Sequence, residues 1–174
     1  MSNLPSTPSS VSRRDFLRGR KSPAPAVMRP PWSNEKNILS LCTRCNKCSE
    51  ACPEHIIATD KSGYPEVKFD LGECTFCKEC ATACPEKLFN LEAPAWNNRV
   101  TVSDKCFVRS SIYCRSCGDM CQERAIHFRL LPEGKADIII DHEKCTGCGA
   151  CQHTCPANAI SLQINSEYES TAND

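Results

Sequence analysis

The chain has 174 residues, 16 of them cysteine, and its 21 basic side chains balance its 21 acidic ones. No apolar run approaches the roughly 18 residues that a membrane-spanning helix requires, so we predict no membrane span. The cysteines lie two or three residues apart within clusters, which does not fit the scattered cysteines of a secreted disulfide framework.

The amino-terminal segment is basic, with seven Lys or Arg against two acidic residues in 1–36. Ser, Pro and Ala are abundant in it, so we predict a largely disordered tail over 1–36, with Trp32 as its first contact to the folded body. Ser12-Arg13-Arg14 resembles the start of a twin-arginine export signal, but residues 19–25 are charged and contain prolines where such a signal has an apolar core. We therefore expect a cytoplasmic protein, in surroundings that keep its thiols reduced.

Two interpretations of the arginine pair stay open: a solvated patch on the tail, or a docking site for a partner protein. Nothing in the sequence decides between them. A nucleic-acid partner is not expected, because the basic segment has only Phe16 and Trp32 as aromatic residues and no recognition motif.

Three cysteine runs share the spacing C-x2-C-x2-C-x3-C followed by Pro. This pattern is typical of the thiolates that hold [4Fe-4S] clusters in bacterial ferredoxins. Zinc sites instead use two C-x2-C pairs separated by a longer loop, or include histidines, so zinc is disfavoured. The regular runs are Cys42, Cys45, Cys48, Cys52, then Cys74, Cys77, Cys80, Cys84, and then Cys145, Cys148, Cys151, Cys155.

The remaining four cysteines, Cys106, Cys114, Cys117 and Cys121, form a stretched run. Seven residues separate its first two cysteines, and Gln122 replaces the usual Pro. We predict four clusters in all, with three as the alternative if the stretched run holds none.

The four runs form two pairs, since the first cysteines are 32 residues apart in one pair and 39 in the other. In two-cluster ferredoxins the fourth cysteine of each run ligates the cluster of the partner run. Exchange of this kind predicts four ligand sets: Cys42, Cys45, Cys48 with Cys84; Cys74, Cys77, Cys80 with Cys52; Cys106, Cys114, Cys117 with Cys155; and Cys145, Cys148, Cys151 with Cys121.

Strand and helix signals fill the intervals between the runs. Apolar pieces at 56–58 and 67–69 flank a Gly-Tyr-Pro turn, and pieces at 125–130 and 137–140 flank a Pro-Glu-Gly turn, so we predict one hairpin in each pair. Short helices are predicted through the third and fourth cysteines of a run, as at 78–84, and a strand at 100–102.

The predicted fold is α+β: two tandem bacterial-type two-cluster ferredoxin-like units built from short hairpins and short helices. We place the first unit at 37–92, a linker and the first strand of the second unit at 93–104, the second unit at 105–165, and a disordered tail at 166–174. Trp96 in the linker either packs the units together or sits on one of them. Units of about 60 residues are too small to fold on a hydrophobic core alone, so we expect bound metal to contribute to stability.

The sequence carries no catalytic motif: it has no Gly-rich phosphate loop, no flavin or nicotinamide fingerprint and no nucleophile elbow. We therefore do not expect an enzyme. His55, His127, His142 and His153 are expected to be surface residues, because each run already supplies four sulfurs.

Beyond the cysteine spacing, several motifs resemble the family of ferredoxin-type accessory proteins of the periplasmic nitrate reductase system. They are Ser12-Arg13-Arg14, Arg29-Pro30-Pro31-Trp32-Ser33, Cys42-Thr43-Arg44-Cys45, Gly63-Tyr64-Pro65, the Cys106 to Cys114 spacing, and the run from Cys145 to Cys151. The resemblance implies a cytoplasmic iron-sulfur protein that binds the precursor of the nitrate reductase catalytic subunit and assists its maturation before export, by cluster loading or reduction.

Two other functions stay open at this point. One is a general electron carrier that supplies another reductase or a quinol-linked route, since spacing does not fix the direction of electron flow. The other is an interaction protein whose clusters are purely structural.

Overall fold

A computed structural model of the protein describes residues 27–164. The predictions for the arginine pair and for the C-terminal tail fall on residues outside this range. Within 27–164, no helix is both long enough and apolar enough to cross a membrane. Below, the first half means residues 27–97 and the second half residues 98–164.

Short helices and short strands make up the described chain. The helices are α1 (Glu35–Leu41), α2 (Lys47–Glu50), α3 (Glu79–Thr82), α4 (Ser116–Asp119) and α5 (Ala150–His153), with 3-10 turns at Phe107–Ser110 and Pro132–Gly134. The strands are β1 (Ile57–Thr59), β2 (Pro65–Val67), β3 (Asn98–Val102), β4 (Ile126–Leu130), β5 (Ala136–Ile140) and β6 (Ile160–Ile164).

Each half contains the hairpin that the sequence predicts. Strands β1 and β2 pair antiparallel, with Ile57 opposite Val67. Strands β4 and β5 pair in the same way, with Ile126 opposite Ile140, and the second 3-10 turn connects them. The alternation of buried and exposed residues along these strands turns one face of each hairpin towards its core.

The second half has a further two-stranded sheet, in which β3 pairs antiparallel with β6. The sequence analysis predicts β3 but not β6. Strand β6 nevertheless alternates, since Ile160 is buried while Ser161 and Gln163 are exposed. This sheet joins the beginning of the second half to its end, as the register places Val102 opposite Ile160.

Four of the five helices within 27–164 are single turns, and each of them contains the third cysteine of a run. They end before the fourth cysteine and are therefore shorter than the predicted helices that span both. Helix α1 is not predicted by the sequence analysis. It begins after Asn34, whose side chain accepts a hydrogen bond of 2.8 Å from the backbone N–H of Asn37.

Cysteines form part of the hydrophobic core in both halves. Cys52 and Cys80 are buried in the first half together with Ile56, Val67 and Phe69. In the second half the core contains five aliphatic residues of the strands and the first 3-10 turn, one alanine and three cysteines: Val100, Val108, Ile126, Ile138, Ile160, Ala159, Cys106, Cys117 and Cys151. A group bound to these thiols would therefore affect the packing of each core.

A buried arginine fixes the described end of the amino-terminal segment to the first half. The Arg29 side chain is only 6% exposed. Its Nε lies 2.5 Å from a carboxylate oxygen of Glu35, and its Nη1 lies 2.9 Å from both Asp60 Oδ2 and the backbone oxygen of Pro65. The hydrogen bonds to Glu35 raise the pKa of Arg29 despite burial.

The two tryptophans lie beside this arginine. The Trp96 ring meets Phe69 and Phe76 edge to face, at centroid distances of 5.4 and 5.7 Å, and its Nε1 donates to the Arg29 carbonyl at 2.9 Å. Trp32 is buried and packs against Phe76 at 6.3 Å. Of the two alternatives for Trp96, the structure therefore has it seated on the first half.

Replacement of Arg29 by Ala should lower the free energy of unfolding by about 3 kcal/mol, because it leaves Asp60 and the Pro65 carbonyl without their buried partner. Urea unfolding of the anaerobically purified protein, followed by circular dichroism, measures this. Arg109→Ala is the matched control: Arg109 binds Asp104 and Asp137 at the surface, where an ion pair contributes below about 1 kcal/mol. Equal losses in the two variants would contradict the prediction.

Candidate metal centres

Each of four cavities is lined by three cysteines of one run and by the fourth cysteine of the other run of the same half. We name the cavities sites A to D. Site A has Cys42, Cys45, Cys48 and Cys84, and site B has Cys74, Cys77, Cys80 and Cys52. Site C has Cys106, Cys114, Cys117 and Cys155, and site D has Cys145, Cys148, Cys151 and Cys121. These are the four sets that the exchange pattern predicts.

The arrangement suits a cluster better than a single ion. Within 27–164, no three His, Cys, Asp or Glu side chains converge closely enough to hold one metal ion. A [4Fe-4S] cubane binds one thiolate at each of four separate irons, so its ligands surround a cavity instead of meeting at a point. The donor set of each site is therefore compatible with a cubane, whereas tetrahedral zinc would need its sulfurs to converge.

Left-handed backbone conformations give the regular runs their common shape. Each regular run has a positive φ at the residue before its second cysteine and at the residue after it. These residues are Arg44 and Asn46 (φ 58° and 61°), Phe76 and Lys78 (55° and 67°), and Gly147 and Gly149 (76° and 88°). Such turns wind the loop so that three successive cysteines line one cavity.

Backbone amides also point at the cysteine sulfurs. The N–H groups of Arg44 and Phe76 lie 3.4 Å from the Sγ atoms of Cys42 and Cys74, two residues earlier in the chain. In the second half, Ala125 and Ala159 donate to Cys121 and Cys155 at 3.3 Å. Hydrogen bonds of this kind stabilise thiolate over thiol and help to set the reduction potential of a bound cluster.

Burial shifts the thiols in the opposite direction. It raises the pKa of Cys48 and Cys74 to about 11 and that of Cys80 and Cys151 to about 12. Part of this rise comes from the charges of neighbouring cysteines, because several thiolates close together repel one another. Without metal these thiols hold their protons at neutral pH, and a cationic iron-sulfur core is what would make four adjacent thiolates stable.

The stretched run reaches site C through an inserted 3-10 turn. Phe107–Ser110 turns the chain directly after Cys106, and the buried Val108 anchors it to the core. The turn ends at Ser111 in a left-handed conformation. As a result Cys106 lines the same cavity as Cys114 despite the seven residues between them.

Three further observations concern the residues that line the sites and the size of the cavities. None of the four histidines, all of which are described, lines any of the four cavities. Site D is larger than the others, with a volume of about 150 Å³ against about 20 Å³. Cys74, a member of site B, also lines site D, and sequence spacing carries no signal for this contact between the halves.

Comparison with known proteins identifies the family to which the chain belongs. The 4Fe-4S dicluster domain family matches residues 41–88 and 112–159. The ferredoxin-type protein NapF of Haemophilus influenzae is 40% identical over 168 residues, covering 90% of this chain and 96% of the relative. NapF of Escherichia coli K12 is 42% identical over 155 residues, covering 88% and 94%.

A more distant relative is the methylamine utilization ferredoxin-type protein MauM of Methylobacillus flagellatus. It is 29% identical over 165 residues, which cover 85% of this chain and 56% of the relative. The dicluster family matches the chain twice, and two NapF proteins are similar to it over nearly their full length. We conclude that the chain belongs to the family of ferredoxin-type NapF proteins.

Proposed function

We propose that sites A to D each hold one [4Fe-4S] cluster, ligated by the four cysteines assigned to that site above. The observation that carries this proposal is the grouping of all 16 cysteines into four cavities with exchanged fourth members. A bound [4Fe-4S] cluster accepts or donates one electron at a time. The chain's own part is to place the thiolates around the four cavities, with at least one of them buried in each half, and to donate amide hydrogen bonds to some of the sulfurs.

We further propose that the protein is an accessory factor and not an enzyme in its own right. Family membership supports binding to the precursor of the periplasmic nitrate reductase catalytic subunit, whose maturation the protein would assist by cluster loading or reduction before export. The charged, proline-containing residues 19–25 after Arg13 and Arg14 support a cytoplasmic location. The predicted units at 37–92 and 105–165 are proposed as the two cluster-binding domains.

The basic tail is the proposed contact to this precursor. Apart from Arg29, residues 1–36 hold six basic residues that would favour an acidic partner surface, since charge complementarity accelerates association of partners. Arg29 is already engaged with Glu35 and Asp60, so it does not contribute a free charge. The proposal therefore rests on the residues of the tail before Arg29, in particular Arg13 and Arg14.

Iron analysis tests the number of clusters. Protein purified without oxygen should contain about 16 iron atoms per chain, and Cys114→Ser should contain about 12 because site C loses a ligand. Ser116→Ala is the matched control: Ser116 lines the same cavity, its hydroxyl lies 3.8 Å from the Cys114 sulfur, and its loss should leave the iron content unchanged. About 12 iron atoms in the unsubstituted protein would show that the stretched run holds no cluster.

A pull-down experiment tests the arginine pair. The double variant Arg13→Ala, Arg14→Ala should capture several-fold less of the immature nitrate reductase catalytic subunit from nitrate-grown cells, because two charges of the proposed contact are gone. Arg20→Ala with Lys21→Ala removes the same number of charges from the same tail and should reduce capture less; an equal loss would show that overall charge matters and not the arginine pair itself. Capture at full strength by the first variant would disprove the docking role.

A further inference from the structure

The two halves meet at a point where one site touches the other. The backbone N–H of Cys74, in site B, donates a hydrogen bond of 2.8 Å to the carbonyl oxygen of Cys148, in site D. Cys74 also lines the cavity of site D, as do its neighbours Thr75 and Phe76. A cysteine of the first half is thus part of the wall of a site in the second half.

The packing around this hydrogen bond is tight. Gly149 follows Cys148 with φ +88°, and a Cβ atom added to it would lie 2.0 Å from Cδ1 of Phe69 in the first half. Phe69 is only 4% exposed. On the same junction, His153 Nδ1 lies 3.2 Å from the Asp70 carbonyl oxygen. The absence of a side chain at position 149 is what lets the ring of Phe69 contact the backbone of the site D loop.

In the part of the chain that the structure describes, sites A and C have no corresponding contact between the halves. Residues of the first half alone line site A, and residues of the second half alone line site C. Within each half, the exchanged cysteines connect the two sites, since Cys52 and Cys84 belong to the runs of sites A and B respectively. Among the described residues, the four sites therefore follow the order A, B, D, C.

We propose that the Cys74–Cys148 junction is the electronic contact between the halves, so that the protein conducts electrons from site A to site C as one row. Electron tunnelling weakens steeply with distance, and a ligand backbone that is hydrogen-bonded to a ligand backbone of the next site gives a short path. When one electron crosses the junction, the site that donates it is oxidised by one electron and the site that accepts it is reduced by one electron. No bond is made or broken, and no proton needs to move.

This proposal rests on the cluster assignment proposed above but not on the nitrate reductase precursor. It distinguishes the protein from two independent ferredoxin units on one chain, in which electrons would enter and leave each half separately. In the row, one molecule accepts an electron from a donor at site A and passes it to an acceptor at site C.

Electron paramagnetic resonance of the full chain with only sites B and D filled tests the junction. The double variant Cys45→Ser, Cys114→Ser removes one ligand each from sites A and C and should retain about 8 iron atoms. Complete reduction by dithionite should give a spectrum broadened or split by interaction between two reduced sites. Two independent signals, equal to the sum of isolated centres, would overturn the proposal.

The complementary double variant Cys77→Ser, Cys145→Ser leaves only sites A and C and serves as the control. It should also retain about 8 iron atoms, but its reduced spectrum should be the sum of two independent signals. Interaction as strong as in the first variant would contradict the order A, B, D, C.

A second pair of variants keeps all 16 cysteines and covers the case in which a ligand variant fails to fold. Gly149→Ala should weaken the interaction between the halves, because the new methyl group displaces Phe69. Gly134→Ala has a comparable positive φ of +72° but open space around it, and it should leave the spectrum unchanged. Identical reduced spectra for the two variants, at equal iron content, would overturn the proposal while leaving the cluster assignment intact. A low iron content in the unsubstituted protein would overturn the cluster assignment itself.

Discussion

Each cavity takes its fourth sulfur from the run that builds the other cavity of the same half, and the rest of the fold depends on this exchange. Cys52 follows helix α2 of the site A run yet lines site B, and Cys84 does the reverse. Neither run can complete a site alone, so the two sites of a half must form together. Because Cys52 and Cys80 are also buried core residues, closing the sites and packing the core are one process. Halves of this size gain little from apolar burial alone, and metal binding then contributes directly to folding.

The backbone conformations around the cysteines also indicate that metal binding contributes to folding. A left-handed conformation costs a non-glycine residue roughly 1 kcal/mol. The second half places glycines at the two left-handed positions of its regular run, whereas the first half places Arg44, Asn46, Phe76 and Lys78 there. The first half therefore carries more backbone strain that ligation has to offset, although Arg44 and Lys78 also stack on the rings of Tyr64 and Trp32. At Arg44 and Lys78 the side chain thus makes a contact that glycine could not make.

Two-residue gaps place three sulfurs on one loop, so sequence spacing alone groups the first three cysteines of each regular run. The fourth member of each set comes from a distant run, and only the exchange seen in two-cluster ferredoxins predicts it. The hairpins are predicted from local sequence as well, since alternation and turn residues at 125–140 are contiguous. Contacts between residues far apart in the sequence cannot be predicted in this way. Strand β6 has the right alternation at Ile160 and Leu162, but only its pairing with β3 identifies it as a strand. The role of Arg29 depends on Asp60, 31 residues away, and the Cys74–Cys148 hydrogen bond spans a still larger separation.

The irregular spacing of the stretched run does not indicate that site C lacks a cluster. Lengthening the segment between two ligands from two residues to seven raises the entropic cost of closing it by only about 1 kcal/mol. Burial of the Val108 side chain contributes about 2 kcal/mol and offsets that cost. The extra residues thus do not weaken site C by their length, which supports the proposal of a fourth cluster. What they add is a surface feature, since Ile112 and Tyr113 are 53% and 86% exposed beside the cysteines that end the proposed row. The insertion thus adds two exposed apolar side chains next to site C while Cys106 and Cys114 still line the same cavity.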